Sequence, residues 1–442
     1  MTLADRVREA GVVGAGGAGF PTHVKLAARA DTFIANGAEC EPVLVTDQWV
    51  TIAHAEAILE GLRLAADAVG ARRRVLAVKR HYHPVISRVL PLLKDGPEVE
   101  LFLLDDFYPA GDEHVLVHEV TRRVVPEGGI PLEVGVVVQN VATLLNVRRA
   151  LDGLPVITRP ITVAGEVARP GVYEAPIGTS AAEVIAAAGG ALRADVAVIE
   201  GGPMMGWLLP DLDHPVTKTT SGYLVLPLDH PVVTSRKIST ATHLRRATAA
   251  CCQCRTCTDM CPRALLGHRI RPHLAMRAAL AGWEVPPDVL AMGYLCSQCG
   301  VCEIYACTMG LSPRHILGEY RGRVGAARTP NPYRNRPEAA LEAQAWARAP
   351  KPRVALRLNL TDYVPPHEGA IVPVPDPWEV RLLLKQHVGA PSVACVRKGD
   401  RVVRGQLVAD IPAGALGARL HASIGGVVSF VDDRSIRIER AP

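Results

Sequence analysis

The chain contains 442 residues, enough for roughly three domains, and its 48% hydrophobic and 21% charged composition is typical of a globular protein. Its formal net charge is only +5, so we predict no nucleic-acid partner. No window of 18 uninterrupted apolar residues occurs and the N-terminus lacks the apolar core of a secretory signal, so we expect a cytoplasmic protein without a membrane span.

Residues 1–153 are predicted to form an α/β domain with a largely parallel sheet, because helical and extended patterns alternate along this segment. The predicted helices cover residues 2–10, 23–30, 47–69, 84–93, 113–124 and 140–151, and the predicted strands cover residues 33–35, 74–79, 99–104 and 134–138.

A glycine-rich loop lies between the first two predicted helices. Gly14, Gly16 and Gly19 match the pattern G-x-G-x-x-G, and Glu39 follows Gly19 by 20 residues. Glycines let backbone N–H groups approach a phosphate, and a helix that starts after Thr22 adds the positive end of its dipole. Alone, this pattern indicates a dinucleotide site of the Rossmann type, although no convincing strand precedes the glycines.

Residues 154–232 predict a second, smaller domain. A hairpin with a Pro170-Gly171 turn precedes an alanine-rich helix over residues 181–188, which ends at Gly189-Gly190, and a strand follows over residues 196–200. The segment resembles the SLBB module, a small β-grasp domain, which serves either as a ligand-binding or as a packing module.

Residues 233–327 contain nine of the eleven cysteines, eight of them in two runs, and helices are predicted over residues 243–250, 264–281 and 314–322. The ninth, Cys252, is interpreted as a non-ligand, because it is adjacent to Cys251 and consecutive residues point in different directions. The runs have the spacings C-x2-C-x2-C-x3-C-P and C-x2-C-x2-C-x4-C, and their members are Cys251, Cys254, Cys257 and Cys261, then Cys296, Cys299, Cys302 and Cys307. Three thiolates at such gaps can surround one corner of an iron–sulfur cubane, and in two-cluster ferredoxins the fourth cysteine ligates the other cluster.

The spacing therefore predicts two 4Fe–4S clusters with crossed ligands. Cluster one would be bound by Cys251, Cys254, Cys257 and Cys307, and cluster two by Cys296, Cys299, Cys302 and Cys261. A zinc site or disulfide bonds are the alternatives, although a zinc site normally has no third cysteine at the same gap.

Residues 328–369 are predicted to be a linker, because the segment contains many Arg, Pro and Ala residues and its first part lacks periodicity. Residues 370–442 predict short strands that resemble a lipoyl-type barrel-sandwich hybrid. Lys398, the last lysine of the chain, precedes the strand pair instead of lying at a hairpin tip. We therefore expect a structural sandwich and not a carrier domain, with Cys395 in its core.

Four short segments of residues 1–153 carry a second sequence signal. Their sequences are GAGGAGFPT from Gly14, NGAECEP from Asn36, YPAGDE from Tyr108 and QNVAT from Gln139. Together they resemble the flavin- and NADH-binding subunit of respiratory complex I and its relative RnfC. In that family one glycine-rich loop serves both FMN and NADH, which departs from a plain Rossmann site.

The resemblance implies a role for each residue that matches. The residues that line the flavin phosphate and ring would be Gly14, Gly16, Gly17, Gly19 and Lys25. Phe20 would stack near the nicotinamide or adenine. Asn36 and the catalytic Glu39 and Glu41 would lie by the isoalloxazine and ribose. The nucleotide side would be closed by Tyr108, Gly111, Asp112 and Glu113, and the phosphate side by Asn140 and Thr143.

The order of the domains, together with the segments from Tyr305 to Arg314 and from Arg381 to Pro391, resembles the cobalamin reductases of propanediol-utilisation microcompartments. The resemblance implies a multidomain α/β protein with a Rossmann-like complex I flavoprotein-type domain, a β-grasp SLBB domain, a helical dicluster ferredoxin domain and a C-terminal barrel-sandwich hybrid. It also implies transfer of a hydride from NADH to FMN, and of single electrons through two 4Fe–4S clusters to cobalamin.

Two alternatives stay open. One is an RnfC-like electron-transport subunit, or a microcompartment flavoprotein with another one-electron acceptor. The other is an electron-wiring subunit without activity of its own. A partner enzyme or a shell protein, and a location inside a bacterial microcompartment, are further implications of the resemblance.

Overall fold

Residues 1–153 form a parallel sheet with helices on both faces. The computed structural model describes residues 1–94, 99–281 and 285–440. The helices of this first part are α1 (Leu3–Glu9), α2 (Thr22–Leu26), α3 (Thr46–Val69), α4 (His83–Lys94), α5 (Glu113–Thr121) and α6 (Val141–Leu151), and its strands are β1 (Thr32–Gly37), β2 (Arg73–Lys79), β3 (Val99–Leu104), β4 (Phe107–Tyr108) and β5 (Val136–Asn140).

The sheet has the order β3-β2-β1-β5, and all of its strands are parallel. Alternate residues of β1 face opposite layers: Phe33 packs with α3 and α6, and Ile34 packs with α5. The strand order reverses between β1 and β5, which is where doubly wound sheets bind ligands at the carboxyl ends of their strands. The loop after β1 and Asn140 at the end of β5 therefore lie at one edge.

Residues 158–227 form a mixed sheet with one helix, in agreement with a β-grasp fold. The elements are β6 (Thr158–Gly165), β7 (Gly171–Pro176), α7 (Ala181–Ala187), β8 (Val196–Glu200), β9 (Trp207–Leu208) and β10 (Gly222–Pro227). The predicted hairpin is present, because β6 and β7 pair antiparallel across the Pro170-Gly171 turn.

The cysteine-rich region is helical. Its helices are α8 (Pro231–Arg236), α9 (Thr240–Ala250), α10 (Thr256–Asp259), α11 (Pro262–Leu265), α12 (Pro272–Ala281), α13 (Pro287–Ala291), α14 (Val301–Ile304) and α15 (Pro313–Ala326). The helices predicted over residues 264–281 are present as the end of α11 and the whole of α12, which are separated because Gly267 has a φ of +86° and Pro272 starts a new helix.

The prediction of a plain linker over residues 328–369 is wrong for its second half. Residues 329–337 have no helix or strand, but β11 (Ala349–Pro350) pairs antiparallel with β4 and leads into α16 (Lys351–Arg357). Side chains fix the segment to the first domain, since Gln344 Nε2 and Arg348 donate to Glu119 Oε1 at 2.7 and 2.8 Å. We call residues 328–369 the strap.

The C-terminal part is a sandwich of short strands. They are β12 (Val372–Pro373), β13 (Glu379–Leu383), β14 (Val393–Ala394), β15 (Arg401–Val402), β16 (Leu407–Asp410), β17 (Leu420–His421), β18 (Gly426–Val431) and β19 (Ser435–Glu439). One sheet has the order β13-β19-β18-β15 and the other β14-β16-β17, while β12 joins the SLBB sheet beside β7. The prediction of a buried Cys395 is wrong: its side chain is exposed, whereas the neighbouring Val396 points inward.

The sandwich shares a continuous apolar core with the first domain. Val380 and Ile438 of the sandwich belong to the same buried cluster as Val7 and Ile58 of the first domain. Among the described residues, no helix combines the length and apolar character needed to cross a membrane.

Candidate functional site

A large cavity opens at the sheet edge formed by the ends of β1 and β5. Its volume is about 630 Å³, which lies in the range of small-molecule and cofactor sites. The SLBB domain contributes Met205 and Ser221 to its wall, the cysteine-rich region contributes Cys299, and the C-terminal sandwich contributes Val388. The cavity is therefore a junction of four parts of the chain.

Most residues predicted to bind a flavin or nucleotide line this cavity. They are Gly14, Gly16, Phe20, Lys25, Asn36, Glu39, Glu41, Tyr108, Gly111, Asp112, Glu113 and Asn140. Three predicted residues are not in its wall, namely Gly17, Gly19 and Thr143.

Two of these three residues fix the position of the glycine-rich loop relative to its neighbours. Thr143 Oγ1 accepts a hydrogen bond from Ala15 N at 2.9 Å. Gly19 has a φ of +67°, and a Cβ on it would lie 2.8 Å from Thr219 Cγ2, so the loop packs closely against the SLBB domain. Gly17 has a φ of +99° with no atom near its absent Cβ, which indicates a turn requirement.

The loop and its surroundings have the chemistry that a phosphate-bearing planar ring requires. Gly14 and Gly16 bring the backbone to the cavity, and Lys25 Nζ lies 3.0 Å from both Glu113 Oε1 and Val138 O. Gln139 is buried in the wall and its Nε2 has no hydrogen-bond partner. A buried amide donor without a partner is unfavourable, so the cavity fits a polar ligand such as FMN.

A chain of hydrogen bonds crosses one side of the cavity. Asn140 caps α6 by accepting from Ala142 N at 2.9 Å, and its Nδ2 donates to Asp47 Oδ2 at 2.7 Å. Asp47 N donates in turn to Glu39 Oε2 at 2.6 Å. Burial and the Asp47 charge raise the pKa of Glu39 to about 8, and burial raises the pKa of Asp47 to about 6 although Arg159 opposes that effect.

Glu41 connects the cavity to the SLBB domain. Its carboxylate accepts hydrogen bonds from Met204 N and Met205 N, both at 2.8 Å. A Cβ on Gly202 would lie only 2.2 Å from Glu41 Oε2, so the glycine is needed for this approach. Burial raises the pKa of Glu41, while the two backbone donors oppose this effect.

The eight predicted ligand cysteines lie in two groups, with the members that the crossed assignment proposes. One small cavity is lined by Cys251, Cys254, Cys257 and Cys307 together with Cys252, and another by Cys261, Cys296, Cys299 and Cys302. No disulfide bond joins any of the eleven cysteines, all of which lie within the described residues. Among these residues, no group of three or more His, Cys, Asp or Glu side chains is placed to hold a single metal ion.

The two cysteine groups differ in their position relative to the large cavity. Cys299 lines both its own group's cavity and the large one, and Tyr108 Oη donates to Cys299 O at 2.8 Å. Arg263 also connects them: its Nη2 donates to Asp112 Oδ2 at 2.8 Å, while its Nη1 is buried without a partner beside the second group. On the far side, Cys254 of the first group is exposed.

Sequence reasoning missed several residues of the site. Asp47 follows the NGAECEP segment closely, at the start of a long helix, and this position was a usable signal. Arg159 lies in a strand that resembled an ordinary hairpin, and its Nη2 donates to Ala15 O at 2.5 Å. Lys351 belongs to the strap, and its Nζ donates to Glu39 O at 2.9 Å; neither residue had a sequence signal.

Comparison with known families matches four parts of the chain. Residues 7–149 match the Nuo51 FMN-binding domain, residues 160–208 the SLBB domain, residues 250–312 the 4Fe-4S dicluster domain and residues 366–440 the RnfC barrel sandwich hybrid domain. The fold and the site thus define an oxidoreductase with FMN and 4Fe–4S clusters as cofactors.

Full-length relatives narrow this class. The chain is 45% identical over 442 residues to the cobalamin reductase PduS of Citrobacter freundii, covering 100% of this chain and 97% of the relative. It is also 45% identical over 440 residues to PduS of Salmonella typhimurium, covering 99% of this chain and 96% of that one. The chain belongs to the PduS cobalamin reductase family.

More distant similarities extend to other electron-transfer proteins. A component of the ion-translocating oxidoreductase complex of Salmonella choleraesuis is 36% identical over 273 residues, which is 61% of this chain and 37% of that component. An NAD+-reducing NiFe hydrogenase in the H2-reduced state is 24% identical with a TM-score of 0.48, over 75% of this chain and 63% of that one.

Proposed function

We propose that the protein oxidises NADH at the large cavity and passes single electrons through the two cysteine-bound clusters to cobalamin. The observation that supports this most directly is the shared wall: Cys299 belongs both to the cavity and to the second cysteine group. Bound FMN would accept two electrons together and release them one at a time, which iron–sulfur clusters require.

The order of electron carriers follows from the positions of the two groups. Cluster two, on Cys261, Cys296, Cys299 and Cys302, would lie next to the flavin cavity, and cluster one, on Cys251, Cys254, Cys257 and Cys307, would be the exit. Only the latter group has an exposed predicted ligand, Cys254. An acceptor would therefore receive electrons from cluster one.

The residues of the cavity have distinct proposed roles. The loop around Gly14 and Gly16, together with Lys25, would hold the FMN phosphate and ring, and Phe20 would stack on the nucleotide. Asn36 Nδ2 donates to Gly111 O at 2.9 Å, which keeps the two walls together. Glu39 and Glu41 would face the reacting rings, and Glu41 would also hold the SLBB loop in place.

Cobalamin is proposed as the acceptor because the full-length relatives are cobalamin reductases. An RnfC-like role in electron transport is the second candidate, favoured by the C-terminal match to the RnfC sandwich and by the similarity to the ion-translocating complex. A location inside a bacterial microcompartment, with a partner enzyme or a shell protein, is a further proposal from the relatives' family.

Anaerobic purification followed by counts of flavin and iron tests the cofactor content, and addition of NADH then tests the reaction. We expect NADH to bleach the flavin and to produce cob(I)alamin from added cobalamin, with formation strongly reduced in Glu41→Gln. Absence of flavin bleaching would contradict the enzyme proposal. Bleaching without cobalamin reduction, but with transfer to another one-electron acceptor, would favour the RnfC-like role.

A further inference from the structure

The cavity contains two carboxyl groups that the electron path itself does not use. Glu39 and Asp47 both line the wall, and the backbone N–H of Asp47 holds Glu39 Oε2 at 2.6 Å. Glu39 has a φ of +34°, in the left-handed region that side-chain-bearing residues rarely adopt. Such backbone strain persists where the surrounding structure fixes it and is frequent at functional sites.

The surroundings of the pair are charged on several sides. The groups that interact with the pair are Arg159 of β6, Tyr82 after β2 and Lys351 of the strap. Behind Lys351 lie Lys79 of β2 and Asp106 of the β3–β4 connection. Lys79 forms an ion pair with Asp106, in which its Nζ lies 2.8 Å from Asp106 Oδ1. Arg159 and Lys351 are therefore the nearest cations available to balance the two carboxyl groups.

The proposed reaction requires exchange of protons as well as electrons. NADH supplies two electrons with one hydrogen nucleus, so formation of neutral reduced flavin takes one further proton. When two electrons then leave singly for the clusters, two protons must leave as well, because an iron–sulfur cluster accepts the electron alone. Side chains in the cavity must therefore accept and donate protons near the flavin.

We propose that Glu39 and Asp47 form a carboxyl pair that exchanges this proton with the bound flavin. The inference rests on the proposed function. On reduction, the pair gives one proton to the flavin and regains it from water; on oxidation, it accepts the protons in turn and releases them to water. The two carboxyl groups interact electrostatically, so a negative charge on one disfavours ionisation of the other.

The pKa shifts agree with this geometry. Burial raises the pKa of Glu39 to about 8 and that of Asp47 to about 6, so a proton is available near neutral pH. Burial lowers the pKa of Lys351 to about 8. Its Nζ donates to Glu39 O, so the charge of Lys351 responds to whether the Glu39 carboxyl group is protonated.

Infrared difference spectra of the FMN-loaded protein test the proposal without NADH. The flavin is reduced electrochemically at neutral pH in H2O and in D2O. We expect a carbonyl band of a protonated carboxyl group to change on reduction, to shift in D2O, and to disappear in both Glu39→Gln and Asp47→Asn. A pH-indicator dye should show slower proton uptake in both variants.

Glu200→Gln is the matched control. Burial raises the pKa of Glu200 to about 7, but the residue does not line the large cavity, so its variant should retain the band. The proposal is overturned if the wild-type protein shows no such band, if the band survives in either cavity variant, or if Glu200→Gln removes it. Failure of NADH to bleach a flavin that still shows the band would contradict the proposed function alone.

Discussion

Glu41 illustrates how one side chain can join two domains. Its two carboxylate oxygens accept hydrogen bonds from Met204 N and Met205 N. In Glu41→Gln only one oxygen remains, so one backbone N–H faces an amide donor. We expect a loss of about 1–3 kcal/mol in the free energy of unfolding, measured by urea titration. Glu338→Gln, at an exposed site, should change it little; equal losses in both variants would contradict this role for Glu41.

Glu39 and Asp47 also predict a pH dependence of stability. Their pKa values rise on folding to about 8 and about 6, so between about pH 4 and 8 the folded chain binds more protons than the unfolded chain. The flavin-free protein should therefore lose stability as the pH rises through this window. We expect Glu39→Gln to remove about 1–3 kcal/mol of the difference between pH 5 and pH 8; an unchanged difference would contradict the shift.

At the residue scale, the sequence predicted contacts that lie in short matching segments and missed those that depend on tertiary structure. Twelve of the predicted flavin and nucleotide residues line one cavity, because the glycine-rich loop before β1 and the segments at the ends of β1, β4 and β5 meet there. Arg159 and Lys351 come from parts of the chain far from those segments, and only the folded chain brings them to Ala15 and Glu39.

Two helices of the first domain, α3 and α6, are in close contact at a glycine. For a substitution at this position, helix propensity and packing have opposite effects on stability. A Cβ on Gly61 of α3 would lie 2.2 Å from Leu144 O of α6. Alanine favours a helix over glycine by about 1 kcal/mol, but separating the helices would expose apolar surface and open a gap. We expect Gly61→Ala to lower the free energy of unfolding by about 2 kcal/mol or more.

Gly322 of α15 provides the control for this prediction. A Cβ there would meet no atom within 4 Å, so only propensity acts, and Gly322→Ala should raise the free energy of unfolding by about 0.5–1 kcal/mol. Both values can be measured by denaturant titration with unchanged m-values. A stabilising Gly61→Ala would show that the helices separate at little cost.

At the element scale, periodicity predicted the first domain closely. The expected strands over residues 74–79 and 99–104 correspond to β2 and β3, and the expected helix over residues 47–69 corresponds to α3. The strap was interpreted wrongly, because its order comes from ion pairs and from pairing of β11 with β4. Neither contact leaves a hydrophobic period in the strap's own sequence.

At the scale of the whole molecule, the domain order was readable because each domain carries its own motif. Their arrangement was not, since it depends on which surfaces meet: Cys299 at the flavin cavity, Glu41 at the SLBB loop, and Val380 in the core of the first domain. The proposed path runs from this cavity through the second cysteine group to the first, in which Cys254 is exposed.

This path makes the two last cysteines of the first run distinguishable, although only three residues separate them in the sequence. Cys257 lies with Cys251, Cys254 and Cys307, while Cys261 lies with Cys296, Cys299 and Cys302. Cys257→Ser should therefore lose cluster one, and Cys261→Ser should lose cluster two. Iron content should fall by about half in each variant if each binds one of two equal clusters.

The two variants should differ in their response to NADH. In Cys257→Ser, cluster two still borders the flavin, so NADH should reduce it and produce a paramagnetic resonance signal. In Cys261→Ser, the carrier next to the flavin is missing, so NADH should bleach the flavin but leave cluster one oxidised over the same time. Dithionite, a small reductant that does not depend on hydride transfer from NADH, should reduce the remaining cluster in both variants. Rapid NADH reduction of the remaining cluster in Cys261→Ser would contradict the order from cavity to cluster two to cluster one.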